Sequence, residues 1–544
     1  MVTTKAAAPS SSGSGRSGGT RRWLAFGAVI LAETAVGLDL TVLSVALPTL
    51  SHALRASESD LQWFSSGYAL VLAAAMLPAG LLGDRYGRKK VILASLALFA
   101  AGSLACAFSR TAGEFIAARV LLGLAGAGLT VMAVSALAVL FSEPERPKAI
   151  RVWAAANMVA FPAGPILGGW LLSHFWWGWV FLMNVPVAVL GLVAVALFVP
   201  ESSSAQRPGL DVVGIGTSSA GLVALTFGLI AAGQDGWGSA GALAWMLTGL
   251  GVLVAFFGWE RALMRRGGQP VLDLTLFRSA AFTWGAILVP VLFLALTGLL
   301  FTMPQYFQGV LGTSAEGSGI RLLPVMGGLL AGLASAETIA GKLGARLAVA
   351  AGFTVLAAGL GLGAATTAAS GEAFAATWLA IAGIGAGLTM ATATTAALAE
   401  LSADRAGVGS GVQQALRNVG APLGSAVLGS ALTSAYVSHL RLAGLSPAAG
   451  HAARTSVFGG VAVARALKSA PLLASVRAAF VHGMDVALLV SVGFAVAGIV
   501  LALIFMPARA GRQPDPQAAP RPETSPSSST LADRSVADAT SPNT

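Results

Sequence analysis

The chain has 544 residues, 56% of them hydrophobic and only 10% charged, where a soluble domain carries about 25% charged residues. That balance excludes a soluble enzyme, a nucleic-acid-binding domain and a disordered chain; the net charge of +10 is spread between long apolar runs, as in a membrane protein rather than a nucleic-acid partner. One cysteine, Cys106, and five scattered histidines give no disulfide framework and no metal spacing, so no metal and no cofactor are expected.

In chain order, residues 1–21 are polar, rich in Ser, Gly and Ala, and read as a disordered terminus with no removable signal. Apolar runs near 20 residues, long enough to cross a bilayer as a helix, follow at 23–48, 62–82, 91–108, 115–141, 150–172 and 179–199. The first run carries two acids, Glu33 and Asp39, and ends as Leu38-Asp39-Leu40-Thr41-Val42-Leu43-Ser44-Val45-Ala46-Leu47-Pro48. An acid inside a span is costly and is a functional candidate by default. The two acids project about 120° apart on a helix, so they need not share a site. Asp39 reads either as a proton carrier or as half of a fixed ion pair. The second run carries Trp63 and Tyr68.

The turn after the second run reads Gly80-Leu81-Leu82-Gly83-Asp84-Arg85-Tyr86-Gly87-Arg88-Lys89. Gly87 permits a tight turn, and Asp84 can pair with an arginine or face a helix N-terminus. Arg119, in the fourth run, needs a partner or a water-filled cavity, and Asp39 is the candidate. The fifth run contains Ala163-Gly164-Pro165-Ile166-Leu167-Gly168-Gly169. Gly164 and Gly168 share a face and allow close packing; Pro162 and Pro165 can kink the helix.

Residues 201–279 read as a linker holding two further runs, 212–232 and 240–258. Six more follow at 280–303, 321–340, 347–368, 376–398, 411–436 and 484–506, giving fourteen. The tenth run carries Glu337, which reads either as a cavity acid or as a partner of Lys342 or Arg346; the thirteenth carries Gln413, Gln414, Arg417 and Asn418. A long loop, 437–480, has a stretch from Val461 to Phe480 that reads as an external gate, and 507–544 read as a disordered tail. Ala340-Gly341-Lys342-Leu343-Gly344-Ala345-Arg346 echoes the Gly87 turn, with Gly344 on Gly87. The echo divides the chain into a bundle over 22–200 and a second over 280–506, a common transporter plan. Placing the N-terminus in the cytoplasm puts 23 Lys and Arg in inner segments and 8 in outer ones, so both termini are expected inside.

The Gly80–Lys89 turn resembles the G-x-L-x-D-R-x-G-R-K signature of the major facilitator superfamily, matched at Gly80, Leu82, Asp84, Arg85, Gly87, Arg88 and Lys89. The Gly164 run resembles the antiporter signature of its drug exporters through Gly164, Pro165, Gly168 and Gly169, with Ala160 in place of the first glycine. The Asp39 run resembles the L-D-x-T-V-x-N-V-A-L-P signature of the fourteen-span drug:proton antiporters, the QacA/EmrB-like family, with Ser44 for Asn. Arg119 falls in a run similar to that family's R-V-x-Q-G, with Leu122 for Gln; the Trp177-to-Pro186 run also resembles a family run, with Gly178 as a departure.

The resemblance implies an all-α polytopic membrane protein with the major facilitator fold, fourteen transmembrane helices as two six-helix bundles plus an inserted pair. It implies a proton-coupled multidrug efflux antiporter of the bacterial plasma membrane. The expected partners are small hydrophobic or cationic substrates, protons and the lipid bilayer, for a monomer. Asp39, Arg119 and Glu33 are the proton-coupling candidates. Glu33, Asp39, Trp63, Tyr68, Glu337, Gln413, Gln414 and Asn418 are the substrate-binding candidates. Export of an endogenous antibiotic or other secondary metabolite is the alternative, and proton-coupled nutrient uptake a weaker one.

Overall fold

The structure is a computed structural model that describes residues 15–507 apart from 142–144, 203–210, 269, 273, 368–369, 400–402 and 443–444. The tail expected to be disordered, and most of the N-terminal segment, lie outside the described residues. Among the described residues the regular elements are all helical. The first group is α1 (Gly15–Leu54), α2 (Glu58–Tyr86), α3 (Arg88–Ala107), α4 (Ala112–Leu140), α5 (Arg146–His174), a short α6 (Trp179–Leu182) and α7 (Asn184–Phe198). Next come α8 (Val212–Asp235) and α9 (Ala240–Arg265). The last group is α10 (Ala280–Gln305), α11 (Ala315–Arg321), α12 (Leu323–Leu343), α13 (Ala345–Gly363), α14 (Glu372–Ala399), α15 (Ala403–His439), α16 (Pro447–Thr455), α17 (Val457–Ala466) and α18 (Ala470–Phe505). Eleven spans among the described residues are long and apolar enough to cross a membrane. A twelfth is α2, bent by 46° between Met76 and Pro78, where proline removes a backbone donor and crowds the preceding turn.

Two apolar cores account for two bundles. One gathers Phe26, Phe64, Phe99, Phe115 and Phe181 from α1–α7, and the other Phe353, Leu356, Trp378 and Phe480 from α10–α18. Each accepts a side chain across the seam: Phe301 sits in the first and Val45 in the second. α8 lies against that seam. Its Leu229 and Ile230 pack with Ala426 of α15 and Trp63 of α2, and its Leu229 carbonyl accepts from Ser430 Oγ at 2.6 Å. α9 packs outside α8, with only 17% of its span buried.

The echoed turns share a geometry. Gly87 has φ +114° and its N–H donates to the Gly83 carbonyl; Gly344 has φ +79° and donates to the Ala340 carbonyl. Each ends one helix and begins the next within a single residue, in a backbone region that excludes most side chains. Gly87 is further fixed by Glu201: a Cβ there would lie 2.5 Å from Glu201 Oε1. That oxygen accepts from the Lys89 N–H at the start of α3, where a negative charge is favoured. Asp84 pairs with Arg88 at 2.8 Å, and Lys89 Nζ donates to the Ala196 carbonyl. Arg85 is exposed beside the Tyr86 ring.

At the opposite end of the bundles the halves are fastened together. Gln305 Nε2 donates to Glu58 Oε1 at 3.1 Å, Gln308 Nε2 to the Val45 carbonyl at 3.1 Å and Gln62 Nε2 to Thr433 Oγ1 at 3.3 Å. Ser66 and Ser425 share a hydrogen bond of 2.5 Å. The loop expected as a gate forms α16 and α17 over this end: Phe458 packs on His52 of α1, and Tyr436 Oη donates to the Ala453 carbonyl.

Candidate functional site

The polar centre of the first bundle is built from four helices. Asp39 of α1 and Arg119 of α4 form an ion pair of 2.5 Å, with side chains 0% and 1% exposed. Asn184, the first residue of α7, donates from Nδ2 to the other Asp39 oxygen at 3.3 Å. Arg119 Nε donates to the Phe64 carbonyl of α2 at 3.2 Å, and its guanidinium lies 4.2 Å from the Tyr68 ring centroid. A charge in an apolar span persists only with such partners. Arg119 therefore has two holds, a carbonyl and an aromatic face, that do not depend on the charge of Asp39. Protonation of Asp39 would remove the ion pair and leave those two.

The substrate-binding candidates scatter more widely. Tyr68 is fully buried beneath Arg119, its hydroxyl without a hydrogen-bond partner. Trp63 turns to α8, 6.1 Å from the Phe227 ring. Asp39 has no exposed surface. Thus Asp39 and Tyr68 do not line an open cavity, and Trp63, half-buried, meets α8: the uniformly apolar faces of α1 and α2 gave no register from which to set their direction. Glu337 is exposed near the end of α12, and the pairing with Lys342 or Arg346 is not formed.

Glu33 and α15 behave differently. Glu33 is 5% exposed, and its charge acts on Arg417 across the seam. Arg417 lies 5.6 Å from the Phe293 ring of α10. One turn earlier on α15, Gln413 is 5% exposed, and neither its Nε2 nor Arg417 Nε has an acceptor. Asn418 Nδ2 approaches Met76 Sδ at 2.9 Å. The Gln414 side chain lies outside the described residues. Glu33 and Asp39 thus serve different partners, as their separation around α1 implies.

The glycines of α5 are contact points on two sides. A Cβ on Gly164 would lie 2.0 Å from Thr41 Oγ1, and one on Gly168 would lie 2.3 Å from Val42 Cγ2, both on α1. A Cβ on Gly169 would lie 2.8 Å from the Ala315 carbonyl oxygen of α11, and one on Gly319 of α11 would lie 2.3 Å from the Pro165 carbonyl oxygen. So α5 binds its own bundle with one face and touches the other bundle through bare backbone. The Glu316 N–H also donates to Ser173 Oγ at 3.3 Å. Two participants were not singled out from the sequence. Asn184 sat unremarked in a family-like run, although a lone amide beside the apolar stretch to Phe198 was a usable signal. Glu58 reads as an ordinary acid in a first helical turn.

Comparison with known proteins agrees with this architecture. The model of the Major Facilitator Superfamily matches residues 29–425. The chain is 33% identical over 481 residues to the methyl viologen resistance protein SmvA of Salmonella typhimurium, covering 86% of this chain and 95% of that one. It is 32% identical over 496 residues to the multidrug efflux pump LfrA of Mycolicibacterium smegmatis, covering 88% and 96%. It is 31% identical over 415 residues to the tetracenomycin C resistance and export protein of Streptomyces glaucescens, covering 76% of each. A bacterial homologue of the human lysosomal transporter Spinster superposes with a TM-score of 0.64 at 16% identity, covering 89% of this chain and 96% of that one. The bundles, the glycine turns and these matches together make the chain a membrane transporter, not an enzyme, and it belongs to the major facilitator superfamily.

Proposed function

We propose that the protein is a proton-coupled antiporter that exports hydrophobic, cationic compounds across the bacterial plasma membrane by alternating access. The observation that carries this reading is the enclosed Asp39–Arg119 pair, held by Asn184, Phe64 and Tyr68. A proton on Asp39 frees Arg119, changes the fit of α1 against α4, and so couples protonation to the packing of a helix that also meets α5. The drug- and antibiotic-export relatives support the direction of transport. We place both termini in the cytoplasm from the distribution of basic residues, so the fastened end faces outward. Fourteen spans follow if the 29-residue α5 and the 37-residue α15 also cross. We take the working unit as a monomer.

Glu33 is the candidate site for a cation on the first bundle. The test is the pH gradient of everted vesicles that carry the protein. Added lipophilic cations should collapse it, and Asp39→Asn should abolish the response while the protein remains in the membrane. Wild-type-like collapse in that variant would sink the assignment. A second reading is export of a self-made metabolite. It is favoured by the unpaired donors of Gln413 and Arg417, which suit a substrate rich in hydrogen-bond acceptors, and by relatives named for tetracenomycin C export and as a probable actinorhodin transporter. No response to any cation, with response to such a compound, would select it.

A further inference from the structure

Glu58 stands at the fastened end of the seam, in the first turn of α2, and is 3% exposed. Among the described residues it has no ion-pair partner. It meets Gln305 of the other bundle, itself 0% exposed, whose Nε2 donates to Glu58 Oε1 at 3.1 Å. The amide's remaining atom, Gln305 Oε1, is buried and has no donor. A carboxylate offers no hydrogen to that oxygen, whereas a carboxylic acid does. The acid form has the hydrogen that a reciprocal pair requires, with the amide donating to one carboxyl oxygen and the acid turned to donate to the amide oxygen. The charged form has the N-terminus of α2 in its favour, but it has no cation and leaves an orphaned acceptor in a dry seam.

The surroundings offer no substitute. From α10 the facing group is the neutral Gln305, which precedes the π-turn Tyr306–Val310 that also brings Gln308 to α1. From α15, Tyr436 faces Glu58, but its hydroxyl already donates to the Ala453 carbonyl. On α1, His52 packs on Phe458 and feels Arg465 of α17, and Arg55 is exposed. On α2 itself, Asp60 is engaged by Ser57 in a capping box.

We propose that Glu58 is a second proton-binding site, a latch that must be protonated for the outer end of the seam to close. The proton comes from the water on the outer side and returns there when the seam opens, so it is separate from any proton carried on Asp39. The outward assignment of this end rests on the orientation proposed above; the dependence of closure on Glu58 does not.

The test uses the full chain in a Cys106→Ala, Asp39→Asn background, which silences coupling through the first bundle. Thr433→Cys, at a position buried at the seam beside Gln62, reports opening through its rate of labelling by a membrane-impermeant maleimide. Gly238→Cys, at an exposed position where a Cβ meets nothing within 4 Å, normalises for thiol chemistry. With Glu58 present, the normalised rate should rise about five-fold or more from pH 5 to pH 8 as the acid form is lost. With Glu58→Gln, which keeps a hydrogen donor toward Gln305, it should stay low throughout. A flat profile in the Glu58-containing protein overturns the proposal without recourse to the variant, and so does an equal rise in Glu58→Gln. Labelling from the cytoplasmic side alone would overturn the orientation while leaving the latch intact. The assay needs no substrate, so failure of drug transport leaves it readable.

Discussion

Removing the charge of Asp39 should reveal how much the enclosed pair holds the first bundle together. Asp39→Asn leaves Arg119, 1% exposed, with the Phe64 carbonyl and the Tyr68 ring as its remaining strong partners. Breaking a buried pair from one side typically destabilises by about 3–5 kcal/mol. The surviving cation–π contact and a hydrogen bond to the new amide should hold the loss near the lower limit, about 3 kcal/mol. Arg119→Gln leaves the Asp39 carboxylate with the 3.3 Å bond from Asn184, so its loss should lie nearer about 4–5 kcal/mol. The double variant removes both charges, and its loss should fall below the sum of the singles by about 2–3 kcal/mol. Denaturant titration of the four proteins in detergent micelles measures this cycle. The double variant should therefore lose about 4–6 kcal/mol, short of the sum of the singles, and gradient-driven efflux should stay absent. Additive losses, with coupling under about 0.5 kcal/mol, would refute the pair as a stabilising unit. Efflux restored in the double would refute Asp39 as the proton carrier.

Tyr68→Phe should be nearly neutral in the same titration, because the hydroxyl has no partner, whereas Tyr68→Leu should lose about 1–2 kcal/mol of cation–π contact. Gly87→Ala should destabilise by at least about 1–2 kcal/mol, since its φ of +114° and the nearby Glu201 oxygen both oppose a Cβ; Gly344→Ala should show the φ component. Gly169→Leu should leave the bundle folded yet prevent the approach of α11, since its Cβ meets backbone of Ala315 and Glu316 at 2.8 Å; thiol labelling at position 433 should rise and efflux fall. Trp63→Ala should alter stability but leave the half-saturating substrate concentration of efflux within about two-fold, because its ring rests on Phe227 of α8. A large change in that concentration would return Trp63 to the cavity.

The parts legible in the sequence were those where physics leaves few choices. An arginine and an aspartate in apolar spans had to find each other, and they do. Gly87 and Gly344 had to sit where a side chain is excluded, and both have positive φ. The facing of Trp63 and Tyr68 was not legible, because an apolar helix between lipid and protein has no polar side to set its rotation. Asn184 and the Glu58–Gln305 contact escaped for another reason. Each is a single polar residue whose meaning depends on a partner more than a hundred positions away. Local pattern carries no trace of such a pairing.

The position of α8 has a consequence for how a greasy molecule finds the transporter. The two bundles meet along two seams, one where α2 packs on α15 and one where α5 packs on α11 and α12. The first is covered by α8 through Leu229, Ile230 and Phe227, with α9 as an outer wall. A compound dissolved in the membrane then faces an inserted helix on one flank and, on the other, the glycine backbone of α5 closed against α11. The two flanks are therefore unequal: one is sealed by two whole helices, the other by a backbone contact that a single bulky side chain would spread.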